Sequence, residues 1–310
     1  MIQNAAAENH AQPPLVSVII TFYNQQVWAE SVVQSVLRQT WQNLECILVD
    51  DGSTDQTLGN LRRIAAADNR CRIVAQANSG VSAARNAGFA ASTGEFVQFL
   101  DGDDLLIADK LAVQLRHFSE SQSLDVSCAG FEYLNAHSGQ TARYPVEPIA
   151  QQPLQQMLFR WFDGACLPLH AALFRRRIWS DNRPPFRPEY RGRCEDWVFL
   201  VDVALTGAVF GQLSEVLCIY RMSDSGFTAC PRSWNAASLV AASAIAKSLP
   251  EALAERFLSD YSQRTLDRYL ELRKSDLLQA SGNWRLGNRL TKPVFLLLRL
   301  LKRCYPWRSL

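Results

Sequence analysis

Residues 96–104, Phe-Val-Gln-Phe-Leu-Asp-Gly-Asp-Asp, concentrate the chemistry of this chain. The apolar run Phe96 to Leu100 reads as a buried strand. It stops at three carboxylates, Asp101, Asp103 and Asp104, interrupted only by Gly102. Residues two apart in an extended chain face the same side, so Asp101 and Asp103 can converge. Gly102 has no side chain, which lets a bulky anion approach the backbone. Two carboxylates aimed at one point repel unless a positive charge lies between them. A divalent cation, Mg²⁺ or Mn²⁺, is the usual answer, and such ions share their remaining positions with substrate phosphates. The plainer alternative is a solvated acidic turn with Asp104 capping the next helix. A second acid pair, Glu195-Asp196, opens a helical stretch and is followed by Trp197. Its plainer alternative is charge that complements a helix N-terminus.

The elements around these acids repeat. Leu15 to Ile20 is a short apolar run that suits a central parallel strand, and it leads through Thr21-Phe-Tyr-Asn24 into a helical stretch ending near Gln39. Glu45 to Val49 is a second strand, ending in Asp50-Asp-Gly-Ser-Thr-Asp55 and followed by a helix over 56–67. Cys71 to Val74 is a third, followed by Asn78-Ser-Gly80 and a small-residue helix over 81–91. Strand, polar turn and helix in repetition predict an α/β domain with a mostly parallel central sheet flanked by helices. In such sheets ligands bind outside the carboxyl ends of the strands. Thr21, Asp51 and Asp103 therefore become spatial neighbours despite their separation in sequence.

Further along, the patterns predict a helix over 111–118, a strand over 125–134, a loop over 138–153, a helix over 154–162 and a strand over 167–174. A Pro-rich loop follows over 182–188, then a helix from Cys194 to about Leu205 and one or two strands within 209–220. Residues 234–280 carry helical periodicity for two or three helices. The organisation expected is a tail over 1–13, a catalytic domain over 14–230 and a helical extension over 231–310.

A net charge of +2 in 310 residues makes no case for a nucleic-acid partner, and none is expected. The eight cysteines form no Cys-x-x-Cys pair, and several lie in apolar runs, which suits reduced thiols in a cytoplasmic protein. His10, His117, His137 and His170 show no ligand spacing and read as ordinary surface or core residues. No Asp or Glu follows Asp276, and residues 291–310 are apolar and basic. Two readings stand for that segment: a helix packed on the domain, or an interfacial helix on an anionic membrane surface. The absence of acids favours the membrane, which would make the protein peripheral on the cytoplasmic face of the inner membrane.

Five segments occur in order: Val18 to Asn24, Leu48 to Asp55, Asn78 to Gly88, Phe99 to Asp104, and Glu195-Asp196. Together they resemble the family 2 glycosyltransferases, inverting enzymes of GT-A fold that use nucleotide-diphospho-sugars. The resemblance covers residues 14 to about 228 and leaves the C-terminal 80 or so without a counterpart. It implies a nucleotide held at Thr21 and Tyr23, with Asp51 accepting a hydrogen bond from the base, the N3–H of uracil foremost. Asn78 and Arg85 join the substrate site, where Arg85 pairs with a phosphate or orders the acidic loop. Asp101 and Asp103 resemble the family's DxD motif. Asp103 is expected to contact the cation directly, and Asp101 to reach the ribose or the metal through water. Glu195 flanks Asp196, which is the general base by similarity. Many relatives carry a His shortly after Tyr-Arg, where this chain has Ser223, and Arg221 meets the diphosphate or pairs with an acid on the sheet.

The implied reaction moves a sugar from a nucleotide sugar, a UDP-sugar foremost, to a saccharide or lipid-linked saccharide acceptor during bacterial surface polysaccharide assembly. Two competing classes are a phosphohydrolase with an Asp-x-Asp nucleophile and a non-catalytic nucleotide-binding protein. In the former the acid pair normally follows the first strand, whereas here three strands precede it.

Overall fold

A computed structural model describes residues 12–144, 149–163, 166–179, 183–190, 194–222 and 231–279. The most deeply buried strand is β1, Val16–Phe22, whose seven residues are all inaccessible to solvent or nearly so. Five of the seven are apolar, and Val16, Val18, Ile19 and Ile20 are β-branched or long aliphatics that pack on both faces. β2 (Leu44–Asp50) and β4 (Phe96–Asp101) flank it in parallel, and β3 (Cys71–Ala75) forms the edge beside β2. The register sets Thr21 beside Asp101 and Phe22 beside Asp50, so the polar strand ends line one rim.

Helices α1 (Ala29–Leu37), α2 (Thr57–Ala67) and α3 (Val81–Ala91) connect these strands. The small residues of α3 have a packing reason. A Cβ on Gly88 would stand 2.4 Å from the Ile19 side chain and 2.9 Å from that of Val49, so only glycine lets the helix lie this close to β1 and β2.

The other half of the sheet is mixed. Its elements are β5 (Leu105–Leu106), α4 (Lys110–Glu120), β6 (Val126–Asn135), β7 (Thr141–Arg143), α5 (Pro153–Phe159), β8 (Ala172–Arg175), α6 (Glu195–Leu205) and β9 (Phe210–Met222). The strand order is β3-β2-β1-β4-β8-β6-β9-β5, with β7 on β6. β8 runs antiparallel to both β4 and β6, β9 is parallel to β6, and β5 is antiparallel to β9. The parallel pattern expected from the sequence thus describes β3, β2, β1 and β4. One local expectation needs correction, and two details go beyond the sequence. Residues 138–153 contain β7, an exposed edge strand without apolar alternation. Of the one or two strands expected within 209–220 there is one, the 13-residue β9, whose register with β6 shifts around Gly130. β5 is two residues long, too short to leave a periodicity.

Aromatic packing fixes α6. Phe199 stacks on Phe186 at 4.2 Å and meets Phe99 of β4 and Phe174 of β8 edge-on. Trp197 is fully buried, and its indole N–H donates to the Met157 carbonyl at 2.8 Å. The start of α6 is therefore anchored from two sides.

The chain divides into two compact units, Met1–Trp234 and Asn235–Leu310. The second contains most of α7 (Pro231–Ser248) and α8 (Glu251–Gln279), two helices where two or three were expected. They bury Ala241, Ile245, Ala254 and Phe257, and Ser238 hydrogen-bonds Tyr261 at 2.9 Å. No helix among the described residues is long and apolar enough to cross a membrane. The basic segment 291–310 lies outside the described residues.

Candidate active site

The rim formed by the strand ends begins at β1. Thr21 is buried at its end, while Tyr23, just beyond, is 48% exposed. Asp51 follows β2 and is also buried. Its Oδ1 accepts from the Gln76 amide at 2.7 Å and the Ser79 N–H at 2.8 Å, and its Oδ2 accepts from the Gly80 N–H at 2.9 Å. A carboxylate offers about four lone-pair sites, so Asp51 ties the 76–80 turn to β2 and keeps one position on Oδ2 for a further donor. Asn78 is exposed on that same turn. Asp55 has the structural role available to it, accepting from the backbone N–H groups of Thr57 and Gln26.

Arg85 is the hub of the site. It projects from α3, is 3% exposed, and forks between two acids. One terminal nitrogen donates to Asp101 at 2.6 Å and the other to Glu195 at 2.9 Å, a partner 110 positions away. The guanidinium also lies over the Phe186 ring at 5.1 Å. Burial alone would raise the Asp101 carboxyl, but Arg85 outweighs it and holds that group below the usual carboxylate range. Asp101 thus keeps its charge in a partly dry site.

Asp103 differs. Burial, then the charges of Asp104 and Asp101, push its carboxyl up to about 7. Among the described residues no side chain donates to it. Gly102 has a different role from the one expected. A Cβ there would stand 2.6 Å from Phe22 and 2.8 Å from the Thr21 carbonyl, so packing against β1 already requires glycine. Asp104 is no helix cap either: Asp109 holds the position before α4. Asp104 turns inward, where its Oδ1 accepts the Arg221 N–H at 2.7 Å and its Oδ2 lies 3.0 Å from His170 Nδ1. The Arg221 side chain donates to the Asp103 carbonyl at 2.7 Å and lies 4.1 Å over the Trp28 ring. Arg221 therefore holds the backbone of the acidic turn, an arrangement neither sequence alternative described.

Asp196 sits in the first turn of α6, next to Glu195. Burial, then the Glu195 charge, raise its carboxyl to about 7, although it accepts the Trp197 N–H at 2.8 Å. Arg85 and Asp101 also lie within electrostatic range of it. A half-buried carboxylate raised to about 7 has the protonation behaviour of a general base.

The profile described as Glycosyl transferase family 2 matches residues 17–181, just over half of the chain. The chain belongs to this family. Among its relatives, the uncharacterized glycosyltransferase EpsJ of Bacillus subtilis is 30% identical over 229 residues, covering 70% of this chain and 64% of that protein. An uncharacterized glycosyltransferase of Rickettsia felis is 38% identical over 134 residues, 43% of this chain and 22% of the relative. The chain thus spans less than two thirds of the length of these curated relatives. Among solved structures, S. aureus TarS 1-349 in complex with UDP-GlcNAc aligns with a TM-score of 0.63 at 20% identity, covering 84% of this chain and 77% of that one. The mannosyltransferase PcManGT of Pyrobaculum calidifontis, in complex with GDP-Man and Mn²⁺, aligns with a TM-score of 0.60 at 17% identity, over 96% and 82%. These likenesses establish the fold, a GT-A arrangement with helices beyond it.

For a family 2 glycosyltransferase the question of a divalent cation turns on Asp101 and Asp103. Asp103 is a raised, hydrogen-bond-poor carboxylate facing other acids, which is a fit for a hard cation. Asp101 contributes oxygen ligands of the same kind while paired with Arg85. Among the described residues no cluster of three or more His, Cys, Asp or Glu side chains could enclose an ion. Two carboxylates suit an ion that takes its other ligands from phosphate and water. His170 is a core residue, one of the two alternatives read from the sequence, but its contact with Asp104 left no spacing signal because the two lie far apart in the chain.

Proposed function

We propose that this family 2 member is an inverting glycosyltransferase that moves a sugar from a UDP-sugar to a hydroxyl of a saccharide or lipid-linked saccharide, in bacterial surface polysaccharide biosynthesis. One observation carries the reading: Arg85 joins Asp101, next in the acidic turn to the proposed cation ligand Asp103, to Glu195, beside Asp196. The neighbour of the proposed cation ligand Asp103 and the neighbour of the proposed base Asp196 thus share one guanidinium. That TarS was solved with UDP-GlcNAc and PcManGT with GDP-Man supports a nucleotide-sugar donor.

In this reading Thr21 and Tyr23 border the nucleotide, the remaining acceptor position of Asp51 takes the base N–H, and Asn78 lines the same turn. Asp103 and Asp101 would hold Mn²⁺ or Mg²⁺, which would neutralise charge on the departing nucleoside diphosphate. Arg85 keeps Asp101 ionised and Glu195 in place, and Arg221 fixes the turn that carries Asp103. The ionised Asp196 takes the proton from the acceptor hydroxyl. The acceptor oxygen then bonds to the anomeric carbon as the bond from that carbon to the diphosphate oxygen breaks. Attack from the opposite face inverts the configuration, and most of the rate comes from holding both partners in line. The catalytic domain spans 14–230 and the helical extension 231–310. The basic end, 291–310, attaches the protein to the cytoplasmic face of the inner membrane.

The test is Asp196→Asn. Turnover of a UDP-sugar falls by about 10²- to 10⁴-fold, while UDP affinity measured by calorimetry stays at the wild-type value. Near wild-type turnover in this variant refutes the assignment.

A further inference from the structure

His170 lies in a short helical turn, Leu169–Ala171, immediately before β8. It is 1% exposed, and its imidazole meets Asp104 rather than solvent. Its Nε2 is buried with no well-aligned hydrogen-bond partner among the described residues, although the Cys218 thiol also interacts with the imidazole. An unpaired buried polar atom costs stability, and an apolar side chain of similar shape would avoid that cost. The imidazole therefore needs a reason beyond packing, and its contact through Nδ1 supplies one.

The contact ends at the acidic turn. Asp104 bonds to β9 through the Arg221 N–H, and the Arg221 guanidinium returns to the Asp103 carbonyl. Between β4, which ends in Asp101, and β9, which carries Arg221, lie β8 and β6. The turn 101–104 thus reaches across the sheet, and the Asp104–His170 pair is where it meets β8. The His170 turn is itself held from below. The Gln98 amide donates to the His170 carbonyl at 3.3 Å, and the Gln114 amide to the Ala171 carbonyl at 3.2 Å. Both glutamine carbonyls accept from the ammonium of Lys110, a fully buried lysine. A polar network inside an otherwise apolar core runs from Lys110 through the two glutamines to His170, and from there to the rim.

We propose that His170 is a positioning residue for the cation–diphosphate end of the site: by holding Asp104 it sets the geometry of the Asp103 turn and of Arg221. This rests on the reading of Asp103 as a cation ligand. His170 touches neither substrate nor metal. The Asp51 end of the rim is held by different contacts, from Gln76, Ser79 and Gly80. The two ends therefore separate in a binding experiment, with UDP plus Mn²⁺ reporting both ends and uridine reporting the Asp51 end alone.

The experiment is calorimetric titration of Mn²⁺ with UDP, and of uridine, into wild type, His170→Leu and His170→Asn. Asn carries an amide donor close to the place of Nδ1, and Leu carries none. In His170→Leu, UDP affinity in the presence of Mn²⁺ falls about tenfold, one lost charge-assisted hydrogen bond in effect, while uridine affinity is unchanged. His170→Asn restores UDP affinity to within about threefold of wild type. Asp104→Asn breaks the same contact from the other side with little change in shape, so it keeps the test open if the Leu variant does not fold. It weakens Mn²⁺–UDP binding and spares uridine. Wild-type Mn²⁺–UDP affinity in His170→Leu or Asp104→Asn overturns the proposal. So does equal loss of uridine and UDP binding, which would mark a general packing role. If wild-type protein itself shows no Mn²⁺-dependent UDP binding, the reading of Asp103 fails instead.

Discussion

The two carboxyls that matter most to the proposed chemistry, Asp103 and Asp196, both titrate at about 7, for related but separate reasons. Asp103 is raised by burial and by acids within its own turn, Asp196 by burial and by Glu195. For catalysis the sign is simple: only ionised Asp196 accepts a proton, so the rate rises with pH up to and through 7. The kcat/KM for the donor, measured from pH 5.5 to 8.5, should be half-maximal near pH 7. The residual activity of Asp196→Asn should lack that limb. A wild-type rate independent of pH over this range would remove Asp196 from the base role. For stability the sign is opposite. A carboxyl raised in the folded state binds more protons there than in the unfolded chain, so its favourable contribution is complete below the ordinary carboxylate pKa and is lost as pH rises through about 7. The site is thus least comfortable where it is most active, a familiar trade between function and stability. The acids themselves were legible in the sequence because Asp103 follows an apolar run and Asp196 opens one. Their raised pKa values were not, since those depend on burial and on neighbours from other elements.

At the scale of elements, α3 links the first half of the sheet to the second. Its glycine and alanines bring it against β1 and β2, and that close approach carries Arg85 to the end of β4 and the start of α6. The helix was legible to the residue from its small-residue pattern and the Asn-Ser-Gly turn before it. The fork of Arg85 to Glu195 was not, because it depends on where β8 and α6 return, and antiparallel returns leave no repeat in the sequence. The inward turn of Asp104 was hidden in the same way, since both of its partners lie beyond residue 160. Arg85→Met tests the link. It leaves Asp101 and Glu195 facing each other without a counter-charge. Removing one partner of a buried pair costs about 3–5 kcal/mol. The Asp101 side chain is 39% exposed and can recruit water, so the lower end, about 3 kcal/mol, is expected in urea unfolding. Arg85→Lys keeps the charge but cannot fork to both carboxylates, and should fall between Met and wild type. Stability equal to wild type in Arg85→Met would show that the two acids are held by other means.

At the scale of the whole molecule, charge is segregated along the chain. The described residues mix acids and bases throughout, whereas everything after Asp276 is free of carboxylates and includes Arg285, Arg289, Lys292, Arg299, Lys302, Arg303 and Arg308. Each basic group near an anionic bilayer contributes about 1 kcal/mol, and the contribution fades within a Debye length. Residues 291–310 contain five of these seven cations together with Leu296, Leu297, Leu298, Leu300, Leu301 and Trp307, so electrostatic attraction and apolar insertion would act together. A lipid-linked acceptor would make such attachment useful, because the acceptor and the transferase would then share a surface. A chain ending at residue 290 should bind UDP as the full chain does but fail to co-sediment with vesicles containing anionic phospholipid. The full chain should sediment with those vesicles, less so in high salt, and should ignore vesicles of neutral lipid. Equal sedimentation of the two chains would mean that the basic end serves the protein's own packing and that any membrane contact lies elsewhere.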